Sequence, residues 1–326
     1  MLKAEYQHRG KVPQDVIEAV KLELPPVAAG QALVKVLAAP INPSDVLTLT
    51  GEYGMLPPLP AIGGNEGVGR VEQLGEGVKH LKVGQTVLLP VGCGTWVTHL
   101  NAPADKLIPL PDADPQQLAM MTINPPTASL LLSQFVDLQP GDWVIQNAAN
   151  SGVGGYLIQL AKLRGFKTIN VVRRESAVAG VKTEGGDVVL VDGPDLHKRV
   201  REATGGAKLM LGIDAIGGPA TDHIAACLSE GGTLVNYGLM SGQPCQVSAA
   251  SFVFRDVTLR GFWLAKWFQK ASQTEQMQVF GELIGLIAQG KLKTRIGATY
   301  DVSDIRQAVA AAAAGERDGK ILVVPK

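Results

Sequence analysis

The sequence predicts a two-domain α/β protein in which a partly open β-barrel is followed by a parallel sheet with helices. The chain has 326 residues, 46% of them hydrophobic, which is enough apolar material for two cores. Its first third reads as short β-rich segments separated by glycine and proline, whereas the remainder alternates apolar strands with longer helical runs. The 38 glycines exceed the usual share of about 7%, so we expect many turns and close backbone contacts.

The barrel strands are predicted at 32–36, 68–74, 86–89 and 96–100, because turn residues flank each of these segments. Strands at 143–146, 168–172, 188–191, 209–214, 233–237 and 258–262 alternate with helices, which predicts right-handed βαβ units. A helix at 277–289, a strand at 298–300, an alanine-rich helix at 303–315 and a strand at 320–324 follow. The last strand is short and apolar, and we expect it to complete the sheet of the first domain.

The composition excludes several classes of protein. Thirty Lys and Arg balance thirty Asp and Glu, so the chain has no basic field for binding nucleic acid. Cys93, Cys227 and Cys245 are too far apart for a CxxC site and too few for a disulfide framework, which favours a reducing compartment. The sequence has no long uncharged apolar run and its first residues do not resemble a presequence. We therefore predict a cytoplasmic protein that does not bind membranes.

A nucleotide-binding motif begins at Asp142. An apolar strand leads into a small-residue turn and then a helix that runs to about Arg164, an arrangement that suits a diphosphate because free N–H groups and the helix dipole face the charge. Ala149, Ser151 and Gly154 occupy the three glycine positions of the G-x-G-x-x-G fingerprint. The turn therefore predicts a dinucleotide site.

The strand predicted at 168–172 is followed by Arg173 and Arg174, the former nineteen residues after Gly154. An acidic residue at this place would bind an unphosphorylated ribose, whereas guanidinium groups suit a 2′-phosphate. The motif thus favours NADPH over NADH. The alternative is a purely structural βαβ unit with two solvated arginines.

Six segments carry a resemblance to a known family: 41–45 (INPSD), 51–57 (GEYGMLP), 63–67 (GGNEG), 139–142 (QPGD), 146–154 (QNAANSGVG) and 261–264 (GFWL). Together they resemble the medium-chain dehydrogenase/reductase superfamily and, within it, the 2-enoyl thioester reductases of mitochondrial fatty-acid synthesis. The resemblance implies a GroES-like, partly open β-barrel catalytic domain plus a Rossmann domain with a doubly wound parallel sheet. We predict segments 1–117 (GroES-like), 118–263 (Rossmann, NADP-binding) and 264–326 (completing the catalytic domain).

Many relatives in this superfamily bind zinc, so each ligand position must be compared. Asn42 and Asn65 stand where two ligands would be, and the third position falls near Ile123 and Asn124. None of these is a thiolate, imidazole or carboxylate, the donors that zinc prefers, and the structural zinc lobe is lacking. The resemblance therefore predicts a zinc-independent enzyme with no metal site.

Conjugate reduction needs no Lewis acid. Hydride added to the β-carbon of an α,β-unsaturated thioester gives an enolate that needs a hydrogen-bond donor and a proton. Tyr53 matches the catalytic tyrosine of the family and is predicted to donate either the proton or the hydrogen bond that stabilises the enolate. The alternative for Tyr53 is a tyrosine packed under a proline-rich loop.

The resemblance also implies a set of cofactor-binding residues. Either Arg173 or Arg174 could bind the 2′-phosphate. Trp263 could instead line the substrate pocket, lie in the core or contact a second subunit. The implied residues are Asn124, Asn150, Ser151, Gly152, Val153, Arg173, Arg174, Tyr237, Gly238, Leu239, Met240, Phe262, Trp263, Leu264, Ala265 and Lys320.

The prediction is an NADPH-dependent trans-2-enoyl thioester reductase acting on CoA or acyl-carrier-protein substrates; acyl chain length and pathway are not specified. Two alternatives are an NADPH-dependent quinone or enone reductase and a non-catalytic NADPH-binding protein comparable to lens crystallins. A homodimer is expected, because strands near 233–237 and 258–262 should lie toward an exposed sheet edge.

Overall fold

The computed structural model describes residues 1–315 and 319–326. The chain divides into two compact units, unit 1 with Met1–Ile123 and Phe280–Lys326, and unit 2 with Asn124–Val279. Our division into 1–117, 118–263 and 264–326 stays a prediction. No helix in the described ranges is both long and apolar enough to cross a membrane.

The described residues form strands and helices in the following chain order. The strands are β1 (Leu2–Tyr6), β2 (Ile17–Lys21), β3 (Gln31–Pro40), β4 (Ala61–Ile62), β5 (Val68–Leu74), β6 (Thr86–Leu88), β7 (His99–Pro103), β8 (Ile108–Pro109), β9 (Trp143–Gln146), β10 (Lys167–Val172), β11 (Val188–Val191), β12 (Leu209–Asp214), β13 (Thr233–Asn236), β14 (Thr258–Gly261), β15 (Ile296–Tyr300) and β16 (Lys320–Val323). The α-helices are α1 (Pro43–Thr50), α2 (Pro115–Leu118), α3 (Asn124–Leu131), α4 (Gly152–Leu163), α5 (Val178–Thr183), α6 (Leu196–Thr204), α7 (Pro219–Cys227), α8 (Ala249–Arg255), α9 (Leu264–Lys270), α10 (Gln273–Ala288) and α11 (Ile305–Ala313).

Unit 1 contains two sheets. The larger follows the order β15-β16-β3-β5-β6-β8, with β7 also paired to β3, and the smaller follows β2-β1-β4. The last strand joins the first domain as predicted, because β16 runs antiparallel to β3 with Leu322 opposite Pro40. A core that includes the fully buried Trp96 fills this unit.

Unit 2 is a six-stranded sheet in the order β11-β10-β9-β12-β13-β14. Every neighbouring pair is parallel, and the central residues Ile145, Ile169 and Ile213 are fully buried. Parallel strands alternating with helices confirm the predicted α/β class. Parallel strands also bring their carboxyl ends to one edge, where ligands of such sheets bind.

Two predicted elements were placed wrongly. The strand expected at 96–100 begins at His99, because the backbone N–H groups of Thr95 and Trp96 donate instead to Gly64 and Gly63. The helix expected at 277–289 begins at Gln273. Ser272 and Glu275 exchange hydrogen bonds between side chain and backbone in the pattern of a capping box, which extends the helix by one turn.

Candidate active site

The turn between β9 and α4 brings the backbone into unusually close contact. A Cβ on Gly154 would lie 2.5 Å from the carbonyl oxygen of Ala149, so only glycine fits there. Ser151 caps α4, with its Oγ accepting a hydrogen bond from the Gly154 N–H at 3.1 Å. The first-turn N–H groups of Gly152 and Val153 lack intrahelical acceptors, as in any helix. With the exposed Asn150 beside them, they form a cradle that fits a diphosphate.

Asn124 lies beside this turn. It begins α3 and is 5% exposed, and a Cβ on Gly152 would lie 3.4 Å from its Oδ1. Glycine at 152 therefore leaves room for the Asn124 amide. The structure brings together two residues that are 28 positions apart in the sequence, and their part in cofactor binding stays a prediction.

The loop after β13 contacts the same turn. Burial of the Tyr237 hydroxyl raises the pKa of Tyr237, against the opposing effect of a hydrogen bond to Ser151. A Cβ on Gly238 would lie 2.6 Å from the carbonyl oxygen of Ala215, so this loop packs against the one after β12. Leu239 and Met240 follow and are more than half exposed.

The loop after β14 is fixed by backbone and aromatic contacts. Phe262 donates its N–H to the carbonyl oxygen of Asn236 at 2.9 Å, and its ring meets that of Phe135 edge to face, with centroids 5.9 Å apart. Trp263, Leu264 and Ala265 are half-buried at the start of α9.

Arg173 and Arg174 follow β10 directly; Arg173 is exposed and Arg174 is half-buried. All of the predicted cofactor residues of unit 2 except Asn124 therefore lie at or just beyond the carboxyl ends of parallel strands, where this architecture binds dinucleotides. The choice between the two arginines stays open.

Sequence reasoning missed three polar residues at the same edge. Asp214 accepts hydrogen bonds from the side-chain amides of Asn147 and Asn236, and the three residues lie at the ends of three neighbouring strands. The signal was available in the sequence, because each is a polar residue that ends or directly follows a buried apolar strand.

Tyr53 belongs to unit 1, where it follows α1. The helix ends at Gly51, whose φ of 86° is the left-handed conformation that glycine adopts readily. The N–H groups of Glu52 and Tyr53 both donate to the carbonyl oxygen of Leu47, at 2.9 and 3.2 Å. The helix end thus holds Tyr53 by its backbone, and its ring is half-buried.

A buried polar cluster lies at the other end of α1. The Glu66 carboxylate is fully buried; it accepts hydrogen bonds from Asn42 Nδ2 at 2.7 Å and from the N–H groups of Thr122 and Ile123 at 3.0 and 2.9 Å. The Lys320 ammonium donates to Asn42 Oδ1. Lys320, predicted to contact the cofactor, is therefore placed in the cluster of unit 1, 6% exposed.

A second carboxyl, Asp45, extends this cluster. It accepts from the Asn42 backbone at 2.7 Å and from Asn65 Nδ2 at 2.7 Å. Burial raises the pKa of Asp45 to about 6, against the opposing effects of the Asn42 N–H and the Lys320 charge. Burial also raises the pKa of Glu66 to about 8, with Lys320 and Asn42 acting in the opposite direction.

These residues do not fit a zinc ion. The Asn42 and Asn65 amides are hydrogen-bonded to carboxylates, and the Asn42 oxygen accepts from a lysine ammonium. Amides are poor zinc ligands, and a neighbouring ammonium repels a dication. Within residues 1–315 and 319–326, no three His, Cys, Asp or Glu side chains group in a way that could hold a metal.

Comparison with known proteins agrees with this architecture. Residues 152–280 match the zinc-binding dehydrogenase family, and residues 28–112 match the alcohol dehydrogenase GroES-like domain. The chain is 40% identical over 306 residues to the mitochondrial enoyl-acyl-carrier-protein reductase of Rattus norvegicus, covering 92% of this chain and 82% of the rat protein.

Two solved structures are also similar. A candidate NADPH:quinone reductase from Bacillus thuringiensis has a TM-score of 0.90 at 31% identity, covering 100% of this chain and 99% of that one. The second structure is Etr1p, a mitochondrial 2-enoyl thioester reductase of Candida tropicalis, in complex with NADP and crotonyl-CoA. It has a TM-score of 0.88 at 28% identity, covering 99% of both chains. The chain therefore belongs to the enoyl-acyl-carrier-protein reductases of the medium-chain dehydrogenase/reductase superfamily, which reduce enoyl thioesters and are oxidoreductases acting on CH–CH bonds.

Proposed function

We propose that this chain uses NADPH to reduce the C2–C3 double bond of trans-2-enoyl thioesters carried by CoA or acyl-carrier protein, with Tyr53 as the proton donor or enolate stabiliser. The observation that carries the proposal is the glycine-dependent turn at the start of α4, in a chain 40% identical to an enoyl reductase. The NADP and crotonyl-CoA bound to Etr1p support it.

The cofactor would be held by the loops at the carboxyl edge of unit 2. Ser151, Gly152 and Val153 would receive the diphosphate, and Arg173 or Arg174 the 2′-phosphate. When bound, NADPH supplies the hydride for the β-carbon. Because only NADPH carries the 2′-phosphate, the enzyme should turn over NADPH much faster than NADH. Arg173→Ala and Arg174→Ala, measured separately with both cofactors, would identify the phosphate ligand, and equal rates with NADH in the unmodified enzyme would contradict this assignment.

Tyr53 would act on the thioester. Negative charge moves to the thioester oxygen as the β-carbon accepts hydride, and a phenol can stabilise that charge or protonate the α-carbon. The backbone contacts from Leu47 to Glu52 and Tyr53 support a fixed position for this donor.

Tyr53→Phe tests the role of this hydroxyl, because it keeps the ring and its packing. We expect unchanged folding and NADPH affinity, and reduction of crotonyl, hexenoyl and decenoyl thioesters about 10²- to 10⁴-fold slower. Tyr300→Phe, at another half-buried tyrosine of unit 1, is the matched control and should retain full activity.

A quinone substrate should be assayed in parallel, because the Bacillus thuringiensis structure favours that alternative. Faster turnover of quinone than of any thioester, unaffected by Tyr53→Phe, would replace the thioester proposal. NADPH binding without turnover of either substrate class would instead indicate a non-catalytic binding protein.

We further propose a homodimer. Strand β14 ends the sheet of unit 2, and α8, just before it, exposes Phe252, Val253 and Phe254 at 42%, 71% and 79%. Exposed strand edges and apolar patches are typical of subunit contacts. Light scattering at micromolar concentration should give twice the 34.3 kDa of one chain, and a monomer would refute this assembly. The cytoplasmic location stays a prediction.

A further inference from the structure

The carboxylate of Asp214 is the best-satisfied buried charge of unit 2. It is 0% exposed at the end of β12. Its Oδ1 accepts hydrogen bonds from Asn147 Nδ2 at 2.6 Å, the Ile216 N–H at 2.9 Å and the Gly217 N–H at 3.2 Å. Its Oδ2 accepts from Thr221 Oγ1 at 2.8 Å and Asn236 Nδ2 at 2.9 Å. Burying a carboxylate is costly unless donors replace its water, so these five donors are held tightly.

The two amide donors join the ends of three neighbouring strands. Asn147 directly follows β9 and Asn236 ends β13, with β12 between them in the sheet. Each amide makes a second bond into a loop: Asn147 Oδ1 accepts from the Ala215 N–H at 2.8 Å, and Asn236 Nδ2 also donates to the Gly238 carbonyl at 2.9 Å. One carboxylate therefore fixes the first residues of three loops.

Two of these three loops, those after β9 and β13, contain residues that are predicted to bind the cofactor. The turn after Asn147 contains Ser151, and the loop after Asn236 contains Tyr237, whose pKa is raised by burial and lowered to a smaller extent by the nearby Ser151 side chain. Rotation of either amide would displace the backbone on both sides of the cradle. We infer that Asp214 is a positioning residue for NADPH, which holds the loops of unit 2 in their binding geometry before the cofactor arrives; this inference rests on the proposed function.

Asp214→Asn tests this, because it keeps the shape of the side chain and places an NH₂ group against hydrogen-bond donors. We expect the Kd for NADPH, from fluorescence titration, to rise about tenfold or more, while kcat at saturating NADPH falls less than about threefold. In the protein without cofactor, amide hydrogen exchange at 215–218 and 237–240 should accelerate. The matched control is Asp187→Asn, whose carboxylate accepts from Thr168 at the opposite ends of the strands; it should change neither readout.

A second pair of variants keeps the inference testable if Asp214→Asn does not fold. Asn147→Ala and Thr221→Val each remove one donor to the same carboxylate, but Thr221 lies on α7 rather than in a cofactor loop. Asn147→Ala should weaken NADPH binding and accelerate exchange at 215–218, and Thr221→Val should do neither. Equal effects of both would overturn the positioning role. Failure of the unmodified protein to bind NADPH would contradict the proposed function, whereas loop exchange would still decide the role of Asp214.

Discussion

The two units bury their carboxylates in different ways. In unit 1, Asp45 and Glu66 share a cluster with the ammonium of Lys320, so that opposite charges offset part of the burial. In unit 2, Asp214 is surrounded by five neutral donors at 2.6 to 3.2 Å. Charge attraction acts over a longer range than a hydrogen bond and depends on protonation. The stability of unit 1 should therefore depend on the charge of Lys320 and on pH. The stability of unit 2 should depend on the individual hydrogen-bond donors to Asp214.

Removing the lysine charge should have the largest effect. Lys320→Met leaves two buried carboxyls without their cation, which typically costs about 3 to 5 kcal/mol of stability. The free energy of unfolding in urea measures this loss. Lys21→Met is the control, because its pair with Glu23 is largely exposed and surface pairs contribute little. If the Lys320→Met variant were as stable as that control, charge attraction would not stabilise the buried carboxyls of unit 1, and the proposed difference between the two units would be wrong.

A smaller effect is expected from pH, through the carboxyl group of Glu66. Because the pKa of Glu66 is raised in the folded protein, the folded state binds more protons than the unfolded state at pH values between the two pKa values. Stability should therefore be full below the unfolded pKa and fall as pH rises through about 8. Between pH 7 and 8.5 this loss is at most about 2 kcal/mol. Glu66→Gln should flatten the dependence, and an equally steep profile would show that another group causes it.

The smallest effect is expected in unit 2. Thr221→Val removes one neutral donor to Asp214 while Asn236 still donates to the same oxygen, so we expect a loss of about 1 kcal/mol. Urea unfolding at one pH is sufficient to measure it. A loss as large as that of Lys320→Met would show that neutral donors in unit 2 matter as much as charges in unit 1.

The sequence predicted the parallel sheet well, because its strands are short apolar runs between turn residues. The predicted strands 143–146, 188–191 and 209–214 agree with the observed bounds. Strand 96–100 was misplaced, since its first residues pair with a glycine-rich segment more than 30 positions earlier, which local patterns do not reveal. The hairpin of β1 and β2 was missed because its strands mix charged and apolar residues.

The candidate site was predictable where it follows a local motif. The turn at 147–154 was found because spacing within one segment defines it. The sequence marks Asp214 as a polar residue at the end of an apolar strand, but it does not reveal the hydrogen bonds of this residue, because its partners Asn147 and Asn236 are 67 and 22 positions away. Lys320 was identified by resemblance, yet its contact with Asn42 spans 278 positions and depends on how β16 pairs with β3.

The proposed chemistry, hydride from NADPH to the β-carbon and a solvent-exchangeable proton to the α-carbon of the thioester, is tested most directly by isotope placement in the product. Crotonyl-CoA should be reduced once with NADPH carrying deuterium at C4 in ordinary water, and once with unlabelled NADPH in heavy water. We predict deuterium at the β-carbon in the first product and at the α-carbon in the second. Cofactor deuterium at the α-carbon, or no reduction of the thioester under conditions in which a quinone is reduced, would contradict the account.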